Sequence, residues 1–297
     1  MTERFAHFTR LDAERVQPTR FAQSHWGADH LNGPALVGLA AHALETAFGV
    51  PEFLPSRLTV DLFRAARGVP TTTKVSLVRD GRRVRNSECE VVQDGVTVAK
   101  ATLVQYRLSE PPAGQEWSAA TEFPYPDQID SALATYISSD AVGWSRAIAD
   151  HQNTSRKRYV NRSIDVIEGQ TNSPFLRAAM AAEGTSLVTN LGSRGVGYIN
   201  GDLTVALARL PEDDWVAVQA FALGRSRSRG GYVDVVRQSG TVRLGPGYRH
   251  RQPGGADRLH RRSVPGAQRP QDVSQASSSA NSSRAIRKLS TAAGIPA

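Results

Sequence analysis

The chain has 297 residues, of which 40% are hydrophobic and 22% charged, enough for two modest soluble domains or one large one. No apolar run approaches the length of a membrane-spanning helix; the best stretch, "LVGLAAHALETAFGV", is interrupted by His42 and Glu45. The single cysteine, Cys89, excludes an internal disulfide and fits a reducing cytoplasm, and the charged start "MTERFAHFTRLDAER" has no signal-peptide core.

The net charge of +8 invites a nucleic-acid reading until it is divided along the chain. From Arg225 onward there are 14 Lys and Arg against 3 Asp and Glu, a balance of +11, which leaves residues 1–224 at −3. The body is mildly acidic, so the basic excess belongs to the last quarter alone. That quarter has only Tyr232 and Tyr248 as aromatics, too few for base stacking, and no nucleic-acid partner is expected.

In chain order, an N-terminal strand is followed by "NGPALVGLAA", which opens a helix over Ala35–Phe48. Proline suits the first helical turn because its missing N–H costs nothing there. The run carries few charges on any face, as a buried helix should. "RLTVDLFR" then reads as a strand. Three more strands follow, with hairpin signals at Asp80-Gly81 and Asp94-Gly95, which predicts an antiparallel meander. After the linker "SEPPAGQEWSAATEFPYPD" the order recurs. "GWSRAIAD" and "KRYVNRSIDVIEG" read as strands, "NSPFLRAAMAA" as a helix from Phe175 to about Glu183, and "DLTVALAR" and "DDWVAVQAFAL" as strands. The two helix signatures lie 140 residues apart and the two "LTV" strands 145 apart, in the same order, which points to an internal duplication. Each half is then a helix wrapped by a bent antiparallel sheet, the hotdog arrangement. The fold class is α+β, a double hotdog whose second repeat is incomplete. The expected domains are 1–110 for the first repeat, 111–127 for a linker, 128–224 for a truncated second repeat, and 225–297 for a basic, largely disordered tail in which a weak hairpin, "YVDVV" with "TVRL", survives.

Familiar catalytic strings are missing. No G-x-S-x-G occurs, "GWSRA" lacking its second glycine. Cys89 sits mid-strand and reads as inert. No metal-binding, Walker or dinucleotide motif appears.

The strings "NGPALVGLAAHALE", "PSRLTVDLFR", "VSLVRDGRRVRNSECEVVQDGVTVAKATLVQYR" and "YINGDLTVALARLPEDDW" resemble the type II acyl-CoA thioesterases, above all the actinobacterial thioesterase-like branch with two hotdog repeats, from about Phe5 to Leu223. The resemblance implies hydrolysis of fatty acyl thioesters such as acyl-CoA to free acid and CoA, in lipid metabolism, with no cofactor. A carboxylate activates water, or attacks directly, at a carbonyl polarised by helix N-terminal amides. Carried over, the acid falls on Glu183, one methylene longer than the family's usual aspartate, and the water-positioning residue on Asn200. The family's glutamine has no assignable counterpart. His30, Asn32 and Gly33 at the first helix entrance, Asn172 and Ser173 at the second, and Asp202 are the substrate-binding candidates, against capping and turn chemistry as the plainer readings. Repeat one has Ala43 at the position matching Glu183, so by this alignment only one half could be catalytic. A homo-oligomer is compatible with all of this.

In the resembling family, "WVAVQA" is followed by strands containing an "L-F-D" turn. Here, codons chosen for "SGTVRLGPGYRHRQPGG" also spell, one nucleotide on, A-E-L-F-D-S-D-R-G-I-G-I-A-N-P-A. The tail from about Gly224 is therefore expected to be an out-of-frame reading of a GC-rich gene. The alternative for the whole chain is a non-catalytic acyl-thioester-binding hotdog protein or an inactive frame-shifted product.

Overall fold

The computed structural model describes residues 5–25, 27, 29–110, 113–115, 123–127, 135–197, 199–223, 231–237 and 240–242, with backbone alone from 221 onward. The first repeat comprises β1 (Ala6–Arg10), β2 (Arg15–Pro18), α1 (Gly33–Phe48), β3 (Phe53–Leu62), β4 (Thr71–Asp80), β5 (Val84–Gln93) and β6 (Val96–Arg107). The second comprises β7 (Thr135–Ser139), β8 (Val142–Ser145), β9 (Lys157–Arg162), β10 (Asp165–Ile167), α2 (Pro174–Ala182) and α3 (Gly184–Asn190). A short pair β11 (Leu191–Gly192) and β12 (Gly195–Val196) follows, then β13 (Asp202–Ala206), β14 (Trp215–Leu223), β15 (Gly231–Arg237) and β16 (Gly240–Val242).

α1 begins where Asn32 Oδ1 accepts from the Ala35 amide at 2.9 Å, with Pro34 in the first turn, so its start is set by side-chain capping. Its residues Ala35–Ala41 and Leu44 are all buried, against α2 and the concave face of β4, β5 and β6. This is the apolar-on-every-side helix read from the sequence, wrapped by its sheet. At the β5–β6 turn, Asp94 and Gly95 have φ of +48° and +78°, the left-handed pair that a two-residue hairpin demands.

The sheet order β1-β2-β4-β5-β6-β3 of repeat one is mirrored by β7-β9-β14-β15-β16 of repeat two. The halves meet along β3 and β13, which pair antiparallel with Asp61 opposite Asp202 and Arg57 opposite Ala206. Thr59 and Thr204, one repeat interval apart, face each other at the centre of this ladder, their hydroxyls 3.2 Å apart. The axis relating the halves therefore passes through this pair, and the duplication read from two short strings is a geometric one. The paired sheets enclose α1 and α2, which run antiparallel and touch where Gly38 meets Met180. A Cβ added to Gly38 would lie 2.9 Å from Met180 Sδ, so a larger residue there would have to push the Met180 side chain aside.

Three features differ from the sequence expectation. β7 was not read as a strand, and its partner β8 covers only "VGWS". The second helix ends at Ala182, close to the expected boundary, but a further short helix, α3, begins at Gly184. The second sheet also continues past 224: β15 pairs along β14 and β16 along β15, so "YVDVV" and "GTV" form the expected hairpin as true sheet strands. The sheet is nonetheless unequal to its mate. β16 has three residues where β6 has twelve, and among the described residues β13 pairs with β3 alone. Residues 243–297, and with them most of the expected tail and its reading frame, lie outside the described residues.

Candidate functional site

α1 and α2 lie side by side head to tail, so the first turn of each helix meets the last turn of the other. At one end, Glu183, in the break between α2 and α3, reaches across to the start of α1. A Cβ built on Gly33 would fall 2.0 Å from Glu183 Oε1, so the carboxyl group rests directly on a surface that glycine leaves bare. Asn200, in the loop leading to β13, donates from Nδ2 to the same Oε1 at 2.9 Å. The acid, the strand-side amide and the helix entrance, picked from distant parts of the sequence, are thus one cluster.

Burial pushes the Glu183 carboxyl up from the usual carboxylate range to about 7, while the Asn200 hydrogen bond pulls it the other way. Desolvation wins because one neutral amide replaces only part of the lost hydration. The ring of Tyr159 lies beside Gly184, within 2.9 Å of a Cβ placed there, and supplies an apolar wall. Burial, with Glu183 adding to it, holds the Tyr159 hydroxyl well above its ordinary range, so it stays a neutral phenol.

The other candidates divide. Asn32 spends its side chain on the α1 cap and on the carbonyls of Phe21 and Gln23, at 2.9 and 3.2 Å, so it shapes the entrance. His30 is fixed by backbone bonds to Ser24 and Gly27 and by a bridge to Arg67. Asn172 is buried, its Oδ1 accepting from the Val166 amide and its Nδ2 donating to the Ile164 carbonyl; it braces the chain into α2 and offers nothing to a ligand. Asp202 is exposed on β13 opposite Asp61. Ser173 caps α2 through the Leu176 amide, and its hydroxyl donates to Glu45 Oε2 at 2.6 Å. Ser173 is therefore at the opposite end of the helix pair from Glu183.

That contact gives the repeat-one end of the helix pair a carboxyl group as well. Ala43 occupies the matching position, but Glu45, two residues on, brings a carboxyl to the first turn of α2 as Glu183 does for α1. Exact repeat offset missed it because the helix break at Glu183 has no equivalent in the unbroken α1.

Cys89 is buried with its thiol pushed up to about 12 by burial, as its mid-strand position implied. Ser145 of "GWSRA" lies 3.0 Å from His151 Nε2, but its hydroxyl also accepts from the Ala147 amide, and it closes a local turn. Among the described residues no group of acidic, histidine or cysteine side chains is arranged to hold a metal, and no helix is long and apolar enough to cross a membrane.

Residues 22–106 match the family model of the acyl-CoA thioesterase N-terminal domain. No curated protein matches the chain at the level of sequence. Solved structures share the fold. The tesB protein of Mycobacterium avium subs paratuberculosis is 16% identical with a TM-score of 0.54, over 79% of this chain and 91% of that one. An acyl-CoA thioesterase II, TesB2, from Mycobacterium marinum is 15% identical with a TM-score of 0.51, over 81% and 97%. A protein with a hot dog fold from Alicyclobacillus acidocaldarius is 18% identical with a TM-score of 0.54, over 78% and 90%. The first repeat thus matches the acyl-CoA thioesterase N-terminal domain over residues 22–106, and the two halves, folded as paired hotdogs, share the fold of these solved structures.

Proposed function

We propose that the chain hydrolyses acyl thioesters, fatty acyl-CoA being the type substrate, to the free acid and the thiol, in a cytoplasmic lipid-metabolic setting and without a cofactor. The observation that carries this reading is the Glu183 carboxyl group lying on Gly33 at the start of α1, with Asn200 bonded to it.

Such a cluster has the parts that thioester hydrolysis needs. The first turn of α1 presents the positive end of the helix, where a developing oxyanion is stabilised. Glu183, when ionised, takes a proton from water as the water oxygen adds to the carbonyl carbon, and Asn200 orients the carboxylate and the water. When the C–S bond breaks, the departing thiolate recovers the proton. A base with a pKa near 7 is well matched to this, being ionised at neutral pH and still a useful proton acceptor. Tyr159 keeps the rear of the site apolar.

The test is release of free thiol from a series of acyl-CoA substrates by the full chain, with Glu183→Gln alongside. Hydrolysis predicts turnover that this isosteric change lowers by about 10²- to 10⁴-fold while acyl-CoA still binds. Binding without turnover in the parent would instead support the non-catalytic acyl-thioester-binding reading.

A further inference from the structure

At the other end of the helix pair lies a cavity of about 370 Å³ beside Glu45, walled by Phe53, Leu103, Phe175 and Leu210. Gln105 of β6 also lines it. Gln105 is 2% exposed, and its Oε1 has no hydrogen-bond partner. A buried amide oxygen left unpaired costs roughly 1–3 kcal/mol. Gln105 lines the cavity while its Oε1 is sealed in this conformation, so a small turn of the amide is what would bring the unpaired oxygen to a ligand or bound water there. Phe175 belongs to the first turn of the nine-residue α2, and Ser173, the cap of that turn, holds Glu45 in place at 2.6 Å.

We propose that this is a second acyl-thioester site, in repeat one, with Glu45 as its base and Gln105 holding the attacking water. The inference rests on the hydrolytic reading of the Glu183 end and extends it through the twofold relation of the halves. The acyl chain lies along Phe53, Leu103 and Leu210, with its carbonyl against the first turn of α2. The cavity is at the small end of the range for ligand sites, which selects short and medium chains. Water donates one hydrogen to Gln105 Oε1 and gives the other to Glu45 as its oxygen adds to the carbonyl carbon. The C–S bond then breaks, the thiolate takes the proton from Glu45, and acid and thiol leave with no change of oxidation state. Burial raises Glu45 above the ordinary carboxylate range, with the Ser173 hydrogen bond and the charge of His42 acting the other way, the same direction of shift as at Glu183. Gly33 and Glu45 are twelve residues apart on one helix, so the two sites are separated by about 18 Å along it and work independently.

The experiment measures thiol release from hexanoyl-, decanoyl- and palmitoyl-CoA by the full chain, Glu183→Gln, the Glu183→Gln/Glu45→Gln pair and the Glu183→Gln/Gln105→Met pair, with a thermal melt for each. A second site predicts that Glu183→Gln keeps turnover weighted toward the shorter chains. Adding Glu45→Gln should lower that remainder by about 100-fold or more, and Gln105→Met should also reduce it, at unchanged melting temperature. Loss of all turnover in Glu183→Gln, or a remainder indifferent to Glu45→Gln, overturns the second site and leaves the first intact. A parent chain without turnover on any substrate overturns both. If Gln105→Met melts lower, Gln105→Glu, which keeps an acceptor oxygen, replaces it: retention of the remainder supports the water-holding role and loss counts against it.

Discussion

Glu183 is where residue chemistry has the clearest consequences. With its carboxyl raised to about 7 from an ordinary 4.5, the folded state binds a proton that the unfolded chain has already released across that window. The stability tied to this proton is present in full below pH 4.5 and is lost as pH rises through 7. Glu183→Gln, which does not titrate, is therefore expected to melt above the parent at pH 8, with the gap closing toward pH 4.5; melts across that range check it. Turnover should run the opposite way, rising with pH through about 7 as the base ionises, and a kcat/KM profile reads that limb. Gly33→Ala is expected to abolish most turnover even though no reacting group is removed, because the new methyl takes the space of Glu183 Oε1. The loss should appear in kcat, with far-UV circular dichroism unchanged. Among these features, Glu183 and Asn200 were singled out by resemblance as candidates, whereas the close contact of Glu183 with Gly33 was not, since it joins residues 150 apart.

At the scale of elements, the helix pair governs both ends of the molecule. Gly38 lets α1 lie against α2, and a Cβ there already meets Met180 and Val166 within about 3 Å. Gly38→Val is expected to cost about 1–3 kcal/mol by overpacking, and to lower turnover as well because the spacing that brings Glu183 to Gly33 widens. Denaturant melts at one pH measure the first effect. Asn32→Ala removes a cap and two further bonds to the Phe21 and Gln23 carbonyls, for a loss of about 1 kcal/mol or more. The caps, the apolar helix and the Asp94-Gly95 turn could be read from local chemistry. The end of α2 near Glu183 could be read as well; the short α3 that follows could not, because "AAEGTSLV" opens that helix on a glycine, and packing of Gly184 on Tyr159 accompanies the turn.

For the whole molecule, the twofold relation sets the plan, and its imperfection sets the weak point. β3 is flanked by β6 and β13, whereas β13 has β3 alone among the described residues. β14 carries β15 on the side away from β9, so deleting residues from 224 onward bares a nine-residue strand edge. That truncation is expected to self-associate and to melt lower than the full chain, as edge strands without cover do; light scattering and size-exclusion chromatography would show it. The linker contributes to this half too. Phe123 packs on Tyr125 and Trp144, and the Trp144 indole donates to the Pro124 carbonyl at 2.9 Å, covering the outer face of the second sheet.

The chain's own order of residues determined that there are two repeats, that each buries one helix, and where the turns and caps fall, because these follow from spacing and local conformational preference. Likeness also singled out Glu183 and Asn200, which the fold brings into hydrogen-bond contact. Tertiary structure alone decided which ends meet. The antiparallel crossing of α1 and α2 sends Ser173 to Glu45 and Glu183 to Gly33, and only that crossing reveals a carboxyl at both ends. Contacts between residues more than a hundred positions apart leave no periodic trace in sequence, since each side chain satisfies its local rule whichever partner it finally touches.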